Sequence, residues 1–311
     1  MAAVLNSNVA SMWASKNLQG AQNKMADSVE RLSSGLRINR ASDDAAGLGI
    51  ANALTQQING ANQGVRNLND GISMVQTAEG AIAAAQEMAQ RILTLATQGA
   101  NGTLGSTERT AIQSEMRQLV VAINAIGGRT KFSGNSLLDQ TLTGTTGKTL
   151  QVSNNTTDTI TLAAGAFRDI GVGTVSSVAA TVTNITRNSD TFGDGQASAL
   201  ITAINHADIQ AGASATAIPK FNLVQTAAAD YITALSTQRS LLGAYQNQIE
   251  FTVSNVTELS SNLSAARSSV QDTDYASETA SLTKGQILQQ AATAMLAQAN
   301  QMPNVILSLL K

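Results

Sequence analysis

The stretch LTQQINGANQGVRNLNDGISMVQTAEGAIAAAQEMAQRILTLA, Leu54–Ala96, decides the fold class of this chain. Positions 54, 58, 61, 65, 68, 72, 75, 79, 82, 86, 89, 93 and 96 recur at alternating steps of four and three, the spacing of one helix seam. They read Leu, Ile, Ala, Val, Leu, Ile, Val, Glu, Ile, Gln, Ala, Leu and Ala, so only Glu79 and Gln86 interrupt an apolar stripe. Gly60, Gly64, Gly71 and Gly80 fall inside the run. Each costs about 1 kcal/mol relative to Ala in a helix, so this helix depends on packing partners and its glycines permit close approach.

Working outward, Ser42-Asp43-Asp44 reads as the start of this helix. Ser42 caps free N–H groups, and two carboxylates meet the positive end of the helix dipole. A metal site is the alternative for the two aspartates; the lack of a further ligand cluster favours the cap. Gly99, Gly102 and Gly105 break the pattern. A second helix follows on Ile112, Met116, Leu119, Ile123 and Ile126, ended by Gly127-Gly128. A third long helix spans about 222–270. Ile232, Leu235, Leu242, Ile249, Val253, Val256, Leu263 and Val270 share its frame, with Arg239, Gln246, Ser260 and Arg267 as polar members. The expected fold is mainly α: a long coiled-coil-like helical rod made from both chain ends, with a small β-rich insertion in the middle. Within that Thr/Ser/Asn/Gly-rich insertion, Leu150/Val152 and Ile160/Leu162 alternate around Asn154-Asn155-Thr156-Thr157, a predicted β-hairpin. Ser198 to Ile209 is a candidate short helix.

The two ends are unusual in their lack of charge. Residues 1–15 carry no charged side chain, and neither do 285–310, which Lys284 and Lys311 bracket. Gln286, Gln289, Gln290, Gln298, Asn300, Gln301 and Asn304 are spread through the second stretch, and hydrocarbon would leave those amides unsatisfied, so it is not a membrane span. Leu288, Ala292, Met295, Ala299, Met302, Ile306 and Leu309 instead keep the 4-3 spacing, and Leu18, Ala21, Met25, Val29 and Leu32 are similarly one-sided near the N-terminus. Pro303 is expected to kink or fray the last turns. A helix with an apolar seam and an uncharged, amide-rich back can be buried on all sides by like helices, where Lys or Glu would carry a large desolvation cost. The pattern favours burial between molecules over packing within one monomer.

Composition narrows the function. Of 311 residues, 43% are hydrophobic, so a sizeable core is available, while only 13% are charged and 3% aromatic. The net charge of −2 and the absence of a Lys/Arg run argue against nucleic-acid binding. No cysteine is present, which excludes disulfides, thiolate metal sites and cysteine nucleophiles. The N-terminus lacks the basic and apolar regions of a cleaved signal peptide. Gly144 to Thr149 imitates the end of a phosphate-binding loop, but Leu142 stands where that motif needs Gly and a strand pattern follows. His206, the single histidine, has no sequence neighbour with which to build a metal site or triad. No catalytic residue, metal or cofactor is expected.

Against that background, several runs resemble bacterial flagellin. They are Arg31-Leu-Ser-Ser-Gly-Leu-Arg-Ile-Asn39, Asp43-Asp-Ala-Ala-Gly47, Arg66-Asn-Leu-Asn-Asp-Gly-Ile-Ser73 and Gln76-Thr-Ala-Glu-Gly80. Asp272-Thr-Asp-Tyr275, Gln286-Ile-Leu-Gln-Gln-Ala291 and the ending Ala297-Gln-Ala-Asn-Gln-Met-Pro-Asn-Val-Ile-Leu-Ser-Leu-Leu310 complete the set. The resemblance covers about 1–140 and 222–311, in order. It implies a non-enzymatic subunit that self-assembles into the extracellular flagellar filament for swimming, with its terminal helices folding on polymerisation. It further implies an inner-tube region, D0, from 1–42 and 272–311, and an outer-tube region, D1, from 43–140 and 222–271. Residues 141–221 are then a solvent-facing insertion.

The self-assembly residues expected on this basis are Leu18, Met25, Leu32, Leu288, Met295, Met302, Ile306 and Leu309. Implied partners are further copies of the chain, flagellar cap and hook-junction proteins, and a secretion chaperone for the C-terminal helix, with no nucleic acid and no membrane. Export follows the flagellar type III route without a cleaved signal peptide. Some flagellins are also detected by a host Toll-like receptor. Arg91, Leu95 and Glu115 match the recognised pattern, while Leu93 and Thr94 replace its Arg-Glu pair, which implies weakened signalling. A hook–filament junction protein and an adhesive relative are the competing readings.

Overall fold

A computed structural model describes residues 8–138, 147–163, 167–171, 196–204 and 214–309. The elements in order are α1 (Val9–Ser34), α2 (Ala45–Gly99), α3 (Ser106–Arg129), β1 (Lys131–Phe132), β2 (Asn135–Ser136), β3 (Lys148–Gln151), β4 (Thr159–Leu162), α4 (Gln196–Ile204), α5 (Ser214–Gln271) and α6 (Tyr275–Leu309). The fold is mainly α, with small antiparallel strand pairs in the middle. The chain divides into two compact units, Met1–Asn59 with Ser260–Lys311, and Gly60–Leu259, so α2 and α5 each contribute to both.

In the Gly60–Leu259 unit, the deep seam of α2 differs in phase from the expected one. Ala61, Leu68, Val75, Ile82, Ala89 and Ala96 are buried as expected. The alternate deep positions are Gly64, Gly71, Ala78, Ala85, Ile92 and Gly99. Val65, Ile72, Glu79, Gln86 and Leu93, one residue further on, are only half-buried flanks. Hydropathy underrates Gly and Ala, yet their small size is what admits neighbours. A Cβ at Gly99 would collide with the ring of Phe221. The glycines at 60, 64 and 71 admit a hairpin rather than a helix: added Cβ atoms there would strike Asn154, the Val152 carbonyl and Leu150. That hairpin, β3–β4, pairs Leu150 with Ile160 and buries Ile160 and Leu162. Asn67 Nδ2 donates to the Gln151 carbonyl at 3.0 Å and fixes it to α2.

Glu79 and Gln86 do not weaken the packing where they interrupt the seam. Arg239 of α5 donates to Gln86 Oε1 at 3.1 Å and Glu79 Oε1 at 3.2 Å, so the polar members of the two frames meet each other. Helix α3 runs through Gly127-Gly128 to Arg129 instead of ending there, because Gly127 packs closely against the Leu138 carbonyl and Ile170. A second hairpin, β1–β2, went unread in the sequence; it turns on Ser133 (φ 48°) and Gly134 (φ 82°). Residues 167–171 form a strap that buries Phe167 and Ile170. Tyr231 donates to the Ile170 carbonyl at 2.6 Å and Gln238 to the Arg168 carbonyl at 3.2 Å. Gln113, itself buried, donates to the Ile204 carbonyl at 2.6 Å and so caps α4. Residues 205–209 of the expected helix lie outside the described residues, as do His206 and residues 144–146.

In the other unit, α1 and α6 lie antiparallel: Asn8 reaches Ala299, Met25 touches Gly285, and Arg31 faces Glu278. Asp44, not Ser42, caps α2. Its Oδ1 accepts from the Gly47 N–H at 2.9 Å, while Asp43 accepts from the Asn39 and Arg40 N–H groups and closes the preceding turn. The capping oxygen and the donor N–H are three positions apart, a geometry that Ser42 cannot reach with the helix starting at Ala45. Helix α6 continues through Pro303 to Leu309 without the expected fraying.

Candidate functional site

The pairing of the chain ends is built from small residues. On α1, Ala14, Ala21 and Ser28 are buried at seven-residue intervals; on α6, Gly285, Ala292 and Ala299 answer them. No side chain longer than a serine stands at these layers, so the two backbones approach closely. Leu18, Met25 and Leu32 are half-buried between the layers, and Met25 lies against Gly285 of α6. The ends are tied by polar contacts too. Asn8 accepts from the Ser11 N–H and donates to the Ala299 carbonyl at 2.7 Å, and Ser11 donates to Asn300 Oδ1 at 2.9 Å. At the other end Gly35, with φ 72°, closes α1. There Arg37 N–H donates to the Gln271 carbonyl and Thr273 N–H to the Gly35 carbonyl.

Beside this seam runs an apolar groove lined by Val9, Trp13, Ala14, Ala21, Leu288, Ala292 and Met295, with Lys16 and Lys24 on its rim. Lys16 Nζ lies 5.8 Å from the Trp13 ring centroid. Trp13 is 63% exposed, Met295 65% and Leu288 45%. The eight expected assembly residues therefore do not share one seam. Leu18, Met25 and Leu32 pack within the chain, whereas Leu288 and Met295 look outward. Met302, Ile306 and Leu309 have helical backbone, and their side chains lie outside the described residues. Val9, Met12, Trp13 and Ile287 are exposed apolar residues that seam counting missed. Their signal was size: they are large apolar residues off the seam in a charge-poor segment.

In the other unit, Arg91 Nη2 and Nε bond Glu115 Oε1 at 2.7 and 3.0 Å, on an exposed face of α2 and α3. Leu95 is only 2% exposed, so it supports this pair from the core and offers no contact surface of its own. Two titratable groups are shifted. The Arg40 and Asn39 N–H bonds hold the Asp43 carboxyl below its usual range. Burial, and then the nearby Asp169, push the Tyr231 phenol up. Among the described residues no group of three His, Cys, Asp or Glu side chains could hold a metal ion. No described helix is long and apolar enough to cross a membrane. Lys148 opens a strand, so the described end of the phosphate-loop look-alike is part of a hairpin.

Closely paired chain ends in one unit and a long-helix core in the other define the class, a structural protein built largely from its own termini. The bacterial flagellin N-terminal helical region matches residues 5–143, and the bacterial flagellin C-terminal helical region matches 225–310. Flagellin B of Vibrio cholerae is 35% identical over 378 aligned positions, covering 100% of both chains. A Bacillus subtilis flagellin is 37% identical, covering 99% of each. In fold, the chain resembles a solved Vibrio parahaemolyticus structure described as a flagellar hook-associated protein, with TM-score 0.52 at 13% identity, covering 74% of this chain and 100% of that one. The chain belongs to the bacterial flagellin family: it is a structural subunit of the extracellular flagellar filament, not an enzyme.

Proposed function

We propose that the α1–α6 unit is the surface through which copies of this chain assemble, and that it acquires its full order only when neighbours cover it. The observation that carries this reading is the outward apolar set Val9, Met12, Trp13, Ile287, Leu288 and Met295, which lies within the two charge-free stretches 1–15 and 285–310. Burying one large apolar side chain contributes about 1.5–3 kcal/mol, so covering this set offsets a substantial part of the entropy of ordering the two helices. Without that cover the ends are marginal. In this reading 1–42 and 272–311 form an inner tube, 43–140 and 222–271 an outer tube, and 141–221 faces solvent.

The same ends engage the other partners. Cap and hook-junction proteins contact them at the filament's two limits. A chaperone holds the C-terminal helix before export by the type III route. Host-receptor recognition centres on Arg91 and Glu115 and is weakened by Leu93 and Thr94. Equal potency to a typical enteric flagellin in a receptor reporter assay would overturn that last point. Deleting 1–35 or 285–311 is expected to abolish filaments in electron micrographs while leaving the Gly60–Leu259 unit folded; normal filaments from either deletion refute the assembly reading.

A further inference from the structure

The chain has 8 methionines and no cysteine, so thioethers are its only sulfur. They are not equally accessible. Met116 is fully buried and Met74 is 8% exposed, whereas Met12 is 69% and Met295 65% exposed. Among the described residues, these two exposed methionines both belong to the α1–α6 unit, and Met295 lines the groove that also holds Trp13. The geometry points to Met295, together with Met12, as a redox-sensitive modification site: a hydroperoxide oxidises these thioethers in the free subunit, and the sulfoxides block its addition to a filament. The inference rests on the assembly reading above.

The step is a simple oxygen transfer. A sulfur lone pair attacks one oxygen of hydrogen peroxide, the S–O bond forms and the O–O bond breaks. The departing hydroxide removes the proton from the transferred oxygen and leaves as water. Sulfur ends as a sulfoxide and peroxide is reduced. No side-chain base is needed, and a thioether does not titrate, so exposure alone selects the site. The product replaces a flexible apolar group with a polar, chiral one. Water satisfies the sulfoxide oxygen on a free subunit. Between packed helices it lies beside Val9, Trp13, Leu288 and Ala292, the apolar part of the groove lining, and a polar group left without a partner there is costly. Met74 and Met116 are internal controls that react only after unfolding.

The test uses the full chain, and peptide-level readout separates Met12 and Met295 from Met1, Met25 and Met302, the other methionines of this unit. Depolymerised subunit and assembled filaments are treated with hydrogen peroxide, and oxygen gain at each methionine is followed by peptide mass spectrometry. Elongation from filament seeds is then measured. Met12 and Met295 should oxidise ahead of Met74 and Met116 in the free subunit and be protected in filaments. Oxidised subunit should elongate about tenfold more slowly, the effect expected of one unpartnered polar group. Methionine sulfoxide reductase should restore the rate, and a Met12→Leu/Met295→Leu subunit should be indifferent to peroxide. If oxidised subunit elongates at the original rate while filaments still protect Met295, the switch is refuted and the assembly reading stands. If Met295 oxidises equally fast in filaments and free subunit, the assembly reading falls with it.

Discussion

Gly64→Ala and Gly80→Ala make the same change in the same helix and should move stability in opposite directions. Both glycines lie within α2, where Ala is favoured over Gly by about 1 kcal/mol. At Gly80 an added Cβ has nothing within 4 Å, so the helical gain is realised in full. At Gly64 it would overlap the Val152 backbone carbonyl, which cannot rotate away as a side-chain tip could. The hairpin must lift, and it buries Val152 at 4% exposure, Ile160 at 8% and Leu162 at 0%. Overpacking of this kind costs about 1–3 kcal/mol, with more lost if those side chains rehydrate. The net expectation is roughly +1 kcal/mol for Gly80→Ala and −1 to −2 kcal/mol for Gly64→Ala. Urea unfolding followed by circular dichroism reads both, and thermal midpoints should separate by about 4–12 °C for a unit of this size. Equal stabilisation by the two substitutions would refute the seating of the hairpin on Gly64.

Further expectations test other contacts. Asp44→Ala removes the side-chain acceptor of the Gly47 N–H and should cost about 1 kcal/mol, while Ser42→Ala should be near neutral; unfolding curves distinguish them. Because the folded Asp43 carboxyl is held below its ordinary value of 3.8, it stabilises the fold above that value, and this contribution is lost as pH falls through the lowered folded value. Asp43→Asn should flatten that acid limb, measured as stability against pH. The Tyr231 phenol is shifted the other way, so its contribution is full below its ordinary value of 10.0 and is lost as pH rises through the folded value. Tyr231→Phe should remove that alkaline dependence and cost about 1–2 kcal/mol at neutral pH by leaving the Ile170 carbonyl without its donor. Arg239→Ala should cost under about 1 kcal/mol, since Glu79 and Arg239 are both partly exposed and rehydrate; a double-mutant cycle with Glu79→Ala measures the coupling.

The sequence by itself determined the mainly α fold and the span of its long helices, because a 4-3 repeat sustained from Leu54 to Ala96 has one regular solution. It also determined the β3–β4 hairpin and the family, which rests on motifs at both ends of the chain. Only the tertiary structure decided which face of each helix is deep. Hydropathy weights large apolar side chains, whereas the closest packing in α1, α2 and α6 is made by Gly, Ala and Ser, whose value is their small size. Leu288 and Met295 therefore look like seam residues in the sequence yet lie exposed beside Ala292 and Ala299, and Leu95 looks like a contact residue yet is buried. Caps and turns were decided the same way. Asp44 caps α2 because the helix starts at Ala45, and α3 continues past Gly127 where Leu138 and Ile170 pack closely against that glycine. Those choices depend on neighbours distant in sequence, and a local pattern carries no term for them.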